Sequence, residues 1–240
     1  MKMKILITIC ARGGSKGIPG KNIKQLNGQP LIAYSINIAK KFAIRYNAEI
    51  ALSTDDDQIK KVAAKFGLKT PYKRPAILAT DTTGKVDVLQ DILDYYERIN
   101  HCTYDYILDL DITSPLRTIN DLEEAFEMLQ NKPEAYNIFS VSPAKKNPYF
   151  NMVEEYKDGY VKLIKQGASI KSRQQAPHVY DMNASFYFFC RSFFKKGFKT
   201  AITDKSLIYL VPHVCFDLDH PFDFLFMDIL LKENQLDFNI

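Results

Sequence analysis

Long apolar runs, paired cysteines and blocks of basic residues are all missing from this chain of 240 residues. No run approaches the roughly 20 apolar residues that a membrane-spanning helix needs, so no membrane partner is expected. Cys10, Cys102, Cys190 and Cys215 lie far apart and form no C-x-x-C pair. That spacing argues against a thiolate metal centre and a disulfide framework, and for a reducing compartment. The formal net charge is only +4 and no block of five Lys or Arg occurs. Nucleic acid is therefore not an expected partner, whereas a site for small anions is compatible with the mild positive balance. With 10 Gly and 11 Pro the chain is neither collagen-like nor of low complexity, and 46% apolar residues suffice for a real core. At about 150 residues per domain the length allows one large or two small domains.

The start, with Ile5 to Cys10 following two lysines, superficially resembles a secretion signal. The run is short, lacks a small-x-small cleavage site and passes straight into Arg12-Gly13-Gly14. It reads better as a buried first strand, and the protein is expected in the cytoplasm.

Strand-like and helix-like runs then alternate, the pattern of a mostly parallel, Rossmann-like sheet flanked by helices. Lys4–Cys10, Glu49–Thr54, Tyr104–Ile112, Ile138–Val141, Ser185–Cys190 and Leu207–Leu218 read as strands. Pro30–Tyr46, the stretch from Asp55-Asp56-Asp57 to Phe66, Gly84–Ile99, Asn120–Leu129 and Phe222–Glu233 read as helices, with Asp55–Asp57 and Asn120 as caps. From about 142 to 181 the alternation breaks, lysines recur, and Gly159 and Gly167 suggest hairpin turns. This region is expected to be a flap inserted in a single 1–240 domain.

Chemistry concentrates in Ala11-Arg12-Gly13-Gly14-Ser15-Lys16-Gly17-Ile18-Pro19-Gly20-Lys21-Asn22. It directly follows the first strand, where open α/β sheets bind ligands. Glycines let backbone N–H groups approach a phosphate, and the cations neutralise it. The string is not a Walker loop, because Ser15 and Asn22 stand where that template needs Gly and Ser or Thr. A second constellation is Asp217-Leu218-Asp219 at the end of an apolar run, where strand alternation would put both carboxylates on one face. It suits Mg²⁺, which takes one or two carboxylates plus substrate phosphates, and equally a pair of solvated turn residues. Asp109 and Asp111 form another Asp-x-Asp. The histidines carry little: His213 reads as a satisfied core residue, and no Ser/His/Asp or Cys/His arrangement suggests covalent catalysis.

The complete glycine-rich string resembles the amino-terminal signature of the CMP-sialic acid synthetases (acylneuraminate cytidylyltransferases). The likeness continues through Arg74-Pro75-Ala76-Ile77-Leu78-Ala79-Thr80-Asp81-Thr82, Thr113-Ser114-Pro115-Leu116-Arg117, Arg173-Gln174-Gln175 with Pro177 and Asn183, and Asp217-Leu218-Asp219. The resemblance implies CTP and a sugar acid as substrates, Mg²⁺ as cofactor and a homodimer whose flap reaches the partner's site. It implies that Ala11, Arg12, Gly14, Ser15, Lys21 and Asn22 wrap the triphosphate, with Arg12 and Lys21 serving the leaving group. Arg74, Thr82 and Thr83 would frame the cytidine, and Arg173, Gln174 and Asn183 would face the sugar acid. Asp217 and Asp219 would hold metal, with Asp219 also open to a role as proton acceptor. Asp111 departs from the sialate pattern, where Gln is usual, and resembles the CMP-Kdo synthetases. It is open to three roles: a third metal carboxylate, a sugar contact, or a cap of the Thr113-Ser114-Pro115 turn. Lys85 stands where many relatives have Ser, and Phe150 where many have a cation. Both departures point to a nonulosonic acid other than N-acetylneuraminate. A cytidylyltransferase for Kdo or a related acid, and a metal-dependent glycosyltransferase, are the alternatives.

Overall fold

The computed structural model describes residues 3–14, 17–165, 170 and 172–240. In chain order the strands are β1 (Ile5–Cys10), β2 (Gln25–Leu26), β3 (Gln29–Pro30), β4 (Glu49–Ser53), β5 (Tyr106–Leu110), β6 (Asn137–Pro143), β7 (Val153–Glu155), β8 (Val161–Leu163), β9 (Tyr180–Cys190) and β10 (Ser206–Leu210). The helices are α1 (Leu31–Tyr46), α2 (Asp57–Lys65), α3 (Lys85–Ile99), α4 (Ile119–Gln130), α5 (Arg191–Lys196) and α6 (Pro221–Lys232). Six strands form the main sheet in the order β10-β6-β9-β5-β1-β4. All neighbours pair in parallel except β9, which runs antiparallel to both β5 and β6.

Helices cover both faces, so the central strands are apolar on both sides, as parallel sheets require. Ile5, Ile7 and Ile9 of β1 pack with Leu31, Phe42, Leu122, Phe126 and Met227. Leu6 points the other way, into a cluster with Leu89, Ile92, Leu93, Tyr187 and Phe189. The chain leaves β1 for β4 on one side and later enters β5 on the other. That reversal opens a crevice at the carboxyl ends of β1 and β5.

Several elements differ from the expectations. Helix α4 starts at Ile119, capped by Thr118 rather than Asn120. Asp121 Oδ2 accepts the Thr118 N–H at 2.6 Å and Thr118 Oγ1 accepts the Asp121 N–H at 3.2 Å, a reciprocal box that leaves Asn120 in the first turn. Strand β10 stops at Leu210 instead of running to Leu218. The Val211 N–H still reaches Val141 O at 3.0 Å, but Pro212 has no N–H to continue the ladder. Residues 212–219 are therefore irregular, and pleat alternation is not what places Asp217 and Asp219. Strand β9 is longer than expected because its first residues, Tyr180, Asp181 and Met182, continue to pair with β6 beyond a bulge near Phe139. Between Pro143 and Tyr180 the chain leaves the sheet and forms the β7–β8 hairpin, where Gly159 takes φ +84 in the turn. Gly167 lies outside the described residues. No helix among the described residues is long and apolar enough to cross a membrane.

Candidate active site

The turn after β1 is tied down from below. The Ala11 N–H donates to Ser53 O at 2.9 Å and the Gly13 N–H to Asp55 Oδ1 at 3.0 Å. Asn22 Nδ2 donates to Arg12 O at 2.9 Å, so Asn22 shapes the loop as well as lining its cleft. A Cβ on Gly13 would come within 2.7 Å of Asp56 Oδ2, whereas Gly14 has nothing within 4 Å. Gly20, at φ +63, turns the chain into the short helix that carries Lys21 and Asn22. Ser15 lies outside the described residues.

This loop meets the irregular 212–219 segment directly. Lys21 Nζ donates to Leu218 O at 2.6 Å and lies 3.7 Å from Asp219 Oδ1. A Cβ on Gly17 would stand 2.5 Å from the Asp219 carbonyl oxygen, which makes glycine necessary there. The Leu218 N–H in turn donates to Thr113 O at 2.9 Å, docking the segment on the turn after β5. Asp223, in the first turn of α6, accepts the N–H groups of Asp219 and His220 at 3.1 and 2.7 Å. Residues about two hundred positions apart in the chain thus share one cleft of about 270 Å³, lined by Cys10, Arg12, Lys21, Asn22, Asp111 and Asp219 among others.

Asp217 is not among the residues that line this cleft. Its Oδ1 is buried with no hydrogen-bond partner among the described residues. Burial, then the charges of Asp111 and Asp219, push its carboxyl above the usual carboxylate range. An orphaned buried oxygen in a raised acid marks a place that favours a cation or proton. Asp111 behaves oppositely: burial raises it, but Lys85 and the hydrogen bonds from Thr113 outweigh burial and hold it at about 2. Lys85 Nζ donates to Asp109 Oδ2 at 2.8 Å and to Asp111 Oδ2 at 3.0 Å. Asp111 Oδ1 also accepts the Thr113 N–H and hydroxyl at 3.0 Å each, so the turn-capping role is realised.

A second cavity, of about 280 Å³, adjoins the first and shares Cys10 and Arg12 with it. Arg74, Leu78, Thr80, Asp81, Thr83, Lys85 and Val88 line the rest. Arg74 is buried and fixed on Ser53, donating from Nε to Oγ and from Nη2 to the carbonyl, both at 2.9 Å. Thr82 lies outside the wall and reaches Thr80 Oγ1 at 3.2 Å, while Thr83 Oγ1 reaches it at 2.7 Å. Arg12 joins the two cavities, its Nη1 at 2.7 Å from Asp81 Oδ1.

Other expected residues do not converge here. Asn183 is buried in β9, where its Oδ1 accepts from Ser140 Oγ at 2.6 Å and its Nδ2 donates to Ser142 Oγ at 3.0 Å. It lines neither cavity: the bulged β6–β9 ladder uses its amide internally. Gln174 is exposed on a short helix and lines neither cavity, and the side chain of Arg173 lies outside the described residues. His213 is held by Asp121 at 2.9 Å and stacks on Phe238, a structural role as expected, though in the irregular segment rather than in a strand. Composition and spacing gave no hint of Arg117. Only 1% exposed, it donates to the carbonyls of Asp111, Ser114 and Ser185 at 2.8–2.9 Å and so braces the turn that carries Asp111 and Thr113. Its likeness to a motif was visible; its function as a buried strut was not. A larger depression of about 550 Å³ lies at the amino ends of β1 and β4, around Lys4, Glu49 and Tyr104, without a comparable convergence of cations.

Comparison with known proteins gives a consistent result. The profile described as Cytidylyltransferase matches residues 6–224. The chain is 41% identical over 234 residues to post-translational flagellin modification protein B of Campylobacter coli, covering 97% of each. It is 38% identical over 233 residues to CMP-N,N'-diacetyllegionaminic acid synthase of Campylobacter jejuni, again covering 97% of each. Pseudaminic acid cytidylyltransferase of C. jejuni matches at 32% identity over 241 residues, 97% of this chain and 98% of that one. Among solved structures, a CMP-2-keto-3-deoxy-manno-octonic acid synthetase complexed with CTP superposes with TM-score 0.68 at 16% identity, covering 96% of this chain and 99% of the other. At that identity the superposition speaks for a shared fold alone.

Proposed function

Because the chain belongs to the cytidylyltransferase family, we propose that it transfers CMP from CTP to the anomeric hydroxyl of a nonulosonic acid of the legionaminic, pseudaminic or sialic type, releasing pyrophosphate. The observation that carries the reading is the pair of joined cavities. One is polar and flanked by Arg12 and Lys21, suited to a triphosphate. The other is walled by Leu78, Val88, Thr80, Thr83 and Arg74, suited to a nucleoside.

In this reaction the anomeric oxygen bonds to the α-phosphorus, the bridging bond to the β-phosphate breaks, and its electron pair leaves with pyrophosphate. Such transfers are catalysed mainly by positioning and by charge placed where charge develops. Lys21, nearly enclosed and pinned on Leu218 O, offers a fixed point charge. Arg12, at the junction of the cavities, can bind two phosphate oxygens at once. The exposed Asp219 carboxylate would accept the hydroxyl proton where it does not hold metal.

The donor set fits magnesium. Asp217, with its orphaned buried oxygen, and Asp219 would hold the ion, and Asp111 lies beside them with both oxygens already engaged. Among the described residues no group of three or more His, Cys, Asp or Glu is gathered to hold an ion alone, and magnesium ordinarily takes its remaining ligands from phosphates and water. When bound, the ion neutralises triphosphate charge.

The exposed apolar side chains of the β7–β8 hairpin support a homodimer. Val153, Tyr160 and Val161 of the β7–β8 hairpin are 57%, 76% and 60% exposed, more apolar surface than an isolated hairpin keeps in water. A second copy covering it would complete the sugar-acid side. The test is pyrophosphate release from CTP with legionaminic, pseudaminic, N-acetylneuraminic and Kdo acids, with and without EDTA. Turnover with a nine-carbon acid that stops on chelation and returns with Mg²⁺ is expected. Turnover with Kdo alone, or with no acid despite CTP binding, refutes the assignment.

A further inference from the structure

Lys85 is an odd residue for its position. It opens α3, where the helix dipole presents its positive end and a second positive charge is disfavoured. Its Nζ nevertheless sits between Asp109 Oδ2 at 2.8 Å and Asp111 Oδ2 at 3.0 Å, over the face of Tyr187 at 4.8 Å from the ring centroid. The other oxygens of the pair are also engaged: Asp109 Oδ1 accepts the Thr8 hydroxyl at 2.8 Å, and Asp111 Oδ1 accepts Thr113. Strand pleat places Asp109 and Asp111 on the same face, toward α3, so one ammonium reaches both. The lysine lines the nucleoside-side cavity and Asp111 the phosphate-side cavity, so their contact forms part of the wall between the two.

We propose that Lys85 is a tethered cation that occupies the Asp109–Asp111 pair and withholds it from divalent metal, so that metal is confined to the Asp217–Asp219 side of the cleft. Lys85 is then a positioning residue. It holds Asp111 through Oδ2 while Thr113 holds Oδ1, and it supplies fixed positive charge where a second ion would otherwise compete. The chemical reason is ordinary: two carboxylates two residues apart on one strand face are good hard-cation ligands, and an ammonium at hydrogen-bond distance from both is a direct competitor. This inference rests on the magnesium reading above but not on which sugar acid is the substrate.

The test uses Mn²⁺ as the probe, counted by electron paramagnetic resonance titration of the full-length chain without nucleotide. Lys85→Met removes the charge and keeps the length of the side chain. It should bind one more Mn²⁺ per chain than wild type, or bind Mn²⁺ at least about tenfold more tightly. Lys85→Arg keeps the charge and should titrate like wild type. Because Lys85→Met leaves Asp109 buried and unpaired, the double variant Lys85→Met/Asp109→Asn guards against misfolding, and it too should bind Mn²⁺ more tightly through the freed Asp111. A folded Lys85→Met or double variant with wild-type Mn²⁺ number and affinity overturns the proposal, since a lysine serving only as a structural partner of buried carboxylates would leave metal binding unmoved. Failure of wild type to bind CTP in a separate calorimetric titration would instead refute the transferase reading and leave the Mn²⁺ comparison standing.

Discussion

Gly17 offers the sharpest check on how the site is assembled. A methyl group there would lie 2.5 Å from the Asp219 carbonyl oxygen and 3.7 Å from its carbonyl carbon. Carbon–oxygen contacts settle near 3.3 Å, so Gly17→Ala must push the glycine-rich turn and the Asp217–Asp219 segment apart by about 0.8 Å. The neighbour is backbone, held on Thr113 O through Leu218 and on Asp223 through the Asp219 N–H, and cannot rotate away as a side chain would. A misplacement of that size at a reacting centre costs about 10–100-fold in kcat/KM, or roughly 1.4–2.7 kcal/mol. Overpacking an exposed loop costs about 1 kcal/mol of stability, which lowers Tm by about 2–4 °C in a chain of this size. Steady-state pyrophosphate release and thermal denaturation read the two effects. Gly14→Ala is the comparison, since nothing lies within 4 Å of its added methyl and its Tm should match wild type. A Gly17→Ala enzyme with kcat/KM within about twofold of wild type and an unchanged Tm would refute the view that these two loops touch in the working protein.

Three further outcomes are expected. Lys21→Ala should lower kcat/KM for CTP by about 10²–10³-fold with the fold intact by circular dichroism; full activity would remove the residue from the leaving-group role. Arg117→Met should cost about 3–5 kcal/mol, because the carbonyls of Asp111, Ser114 and Ser185 lose a buried donor, and a Tm within about 2 °C of wild type would contradict the strut. The His213–Asp121 pair should make stability depend on pH. Burial alone would lower His213, but the hydrogen bonds to Asp121 and the Val214 carbonyl outweigh it and raise the imidazole above 6.5. Its contribution is therefore full below pH 6.5 and lost as pH rises through the folded value. Asp121, raised by burial but held below 3.8 by His213 and Thr118, keeps the pair charged until the acid side of that value. The Tm advantage of wild type over His213→Gln should thus be greatest between about pH 4 and 6.5 and shrink by pH 8.5, and an advantage that grows with pH would contradict the pairing.

Legibility followed the range of the forces involved. The alternation of buried strands and amphipathic helices is local: Ile5, Ile7 and Ile9 or Val88, Leu89 and Ile92 declare their faces through spacing alone, and the sheet with helices on both faces follows. The phosphate-type turn is also local, because glycines and cations must be consecutive to form it. The departures from expectation had a common cause. Strand character carried on past Leu210 in the apolar text of Leu207–Leu218, yet Pro212 cannot donate to the ladder, and the segment turns away to dock on Thr113. Asn183 matched a family motif, but its amide was claimed by Ser140 and Ser142 across a bulge that no one-dimensional pattern marks.

The order of the chain therefore settled the alternation of strands and helices, the location of the glycine-rich turn at the end of the first strand, and the membership of the cytidylyltransferase family. Tertiary structure alone decided that Lys21 rests on Leu218 and Asp219, that Gly17 is required by a backbone just over two hundred residues away, and that Lys85 bridges Asp109 and Asp111. These contacts depend on strand order and loop docking. Such placement is fixed by long-range burial and hydrogen bonding, which sequence spacing does not encode.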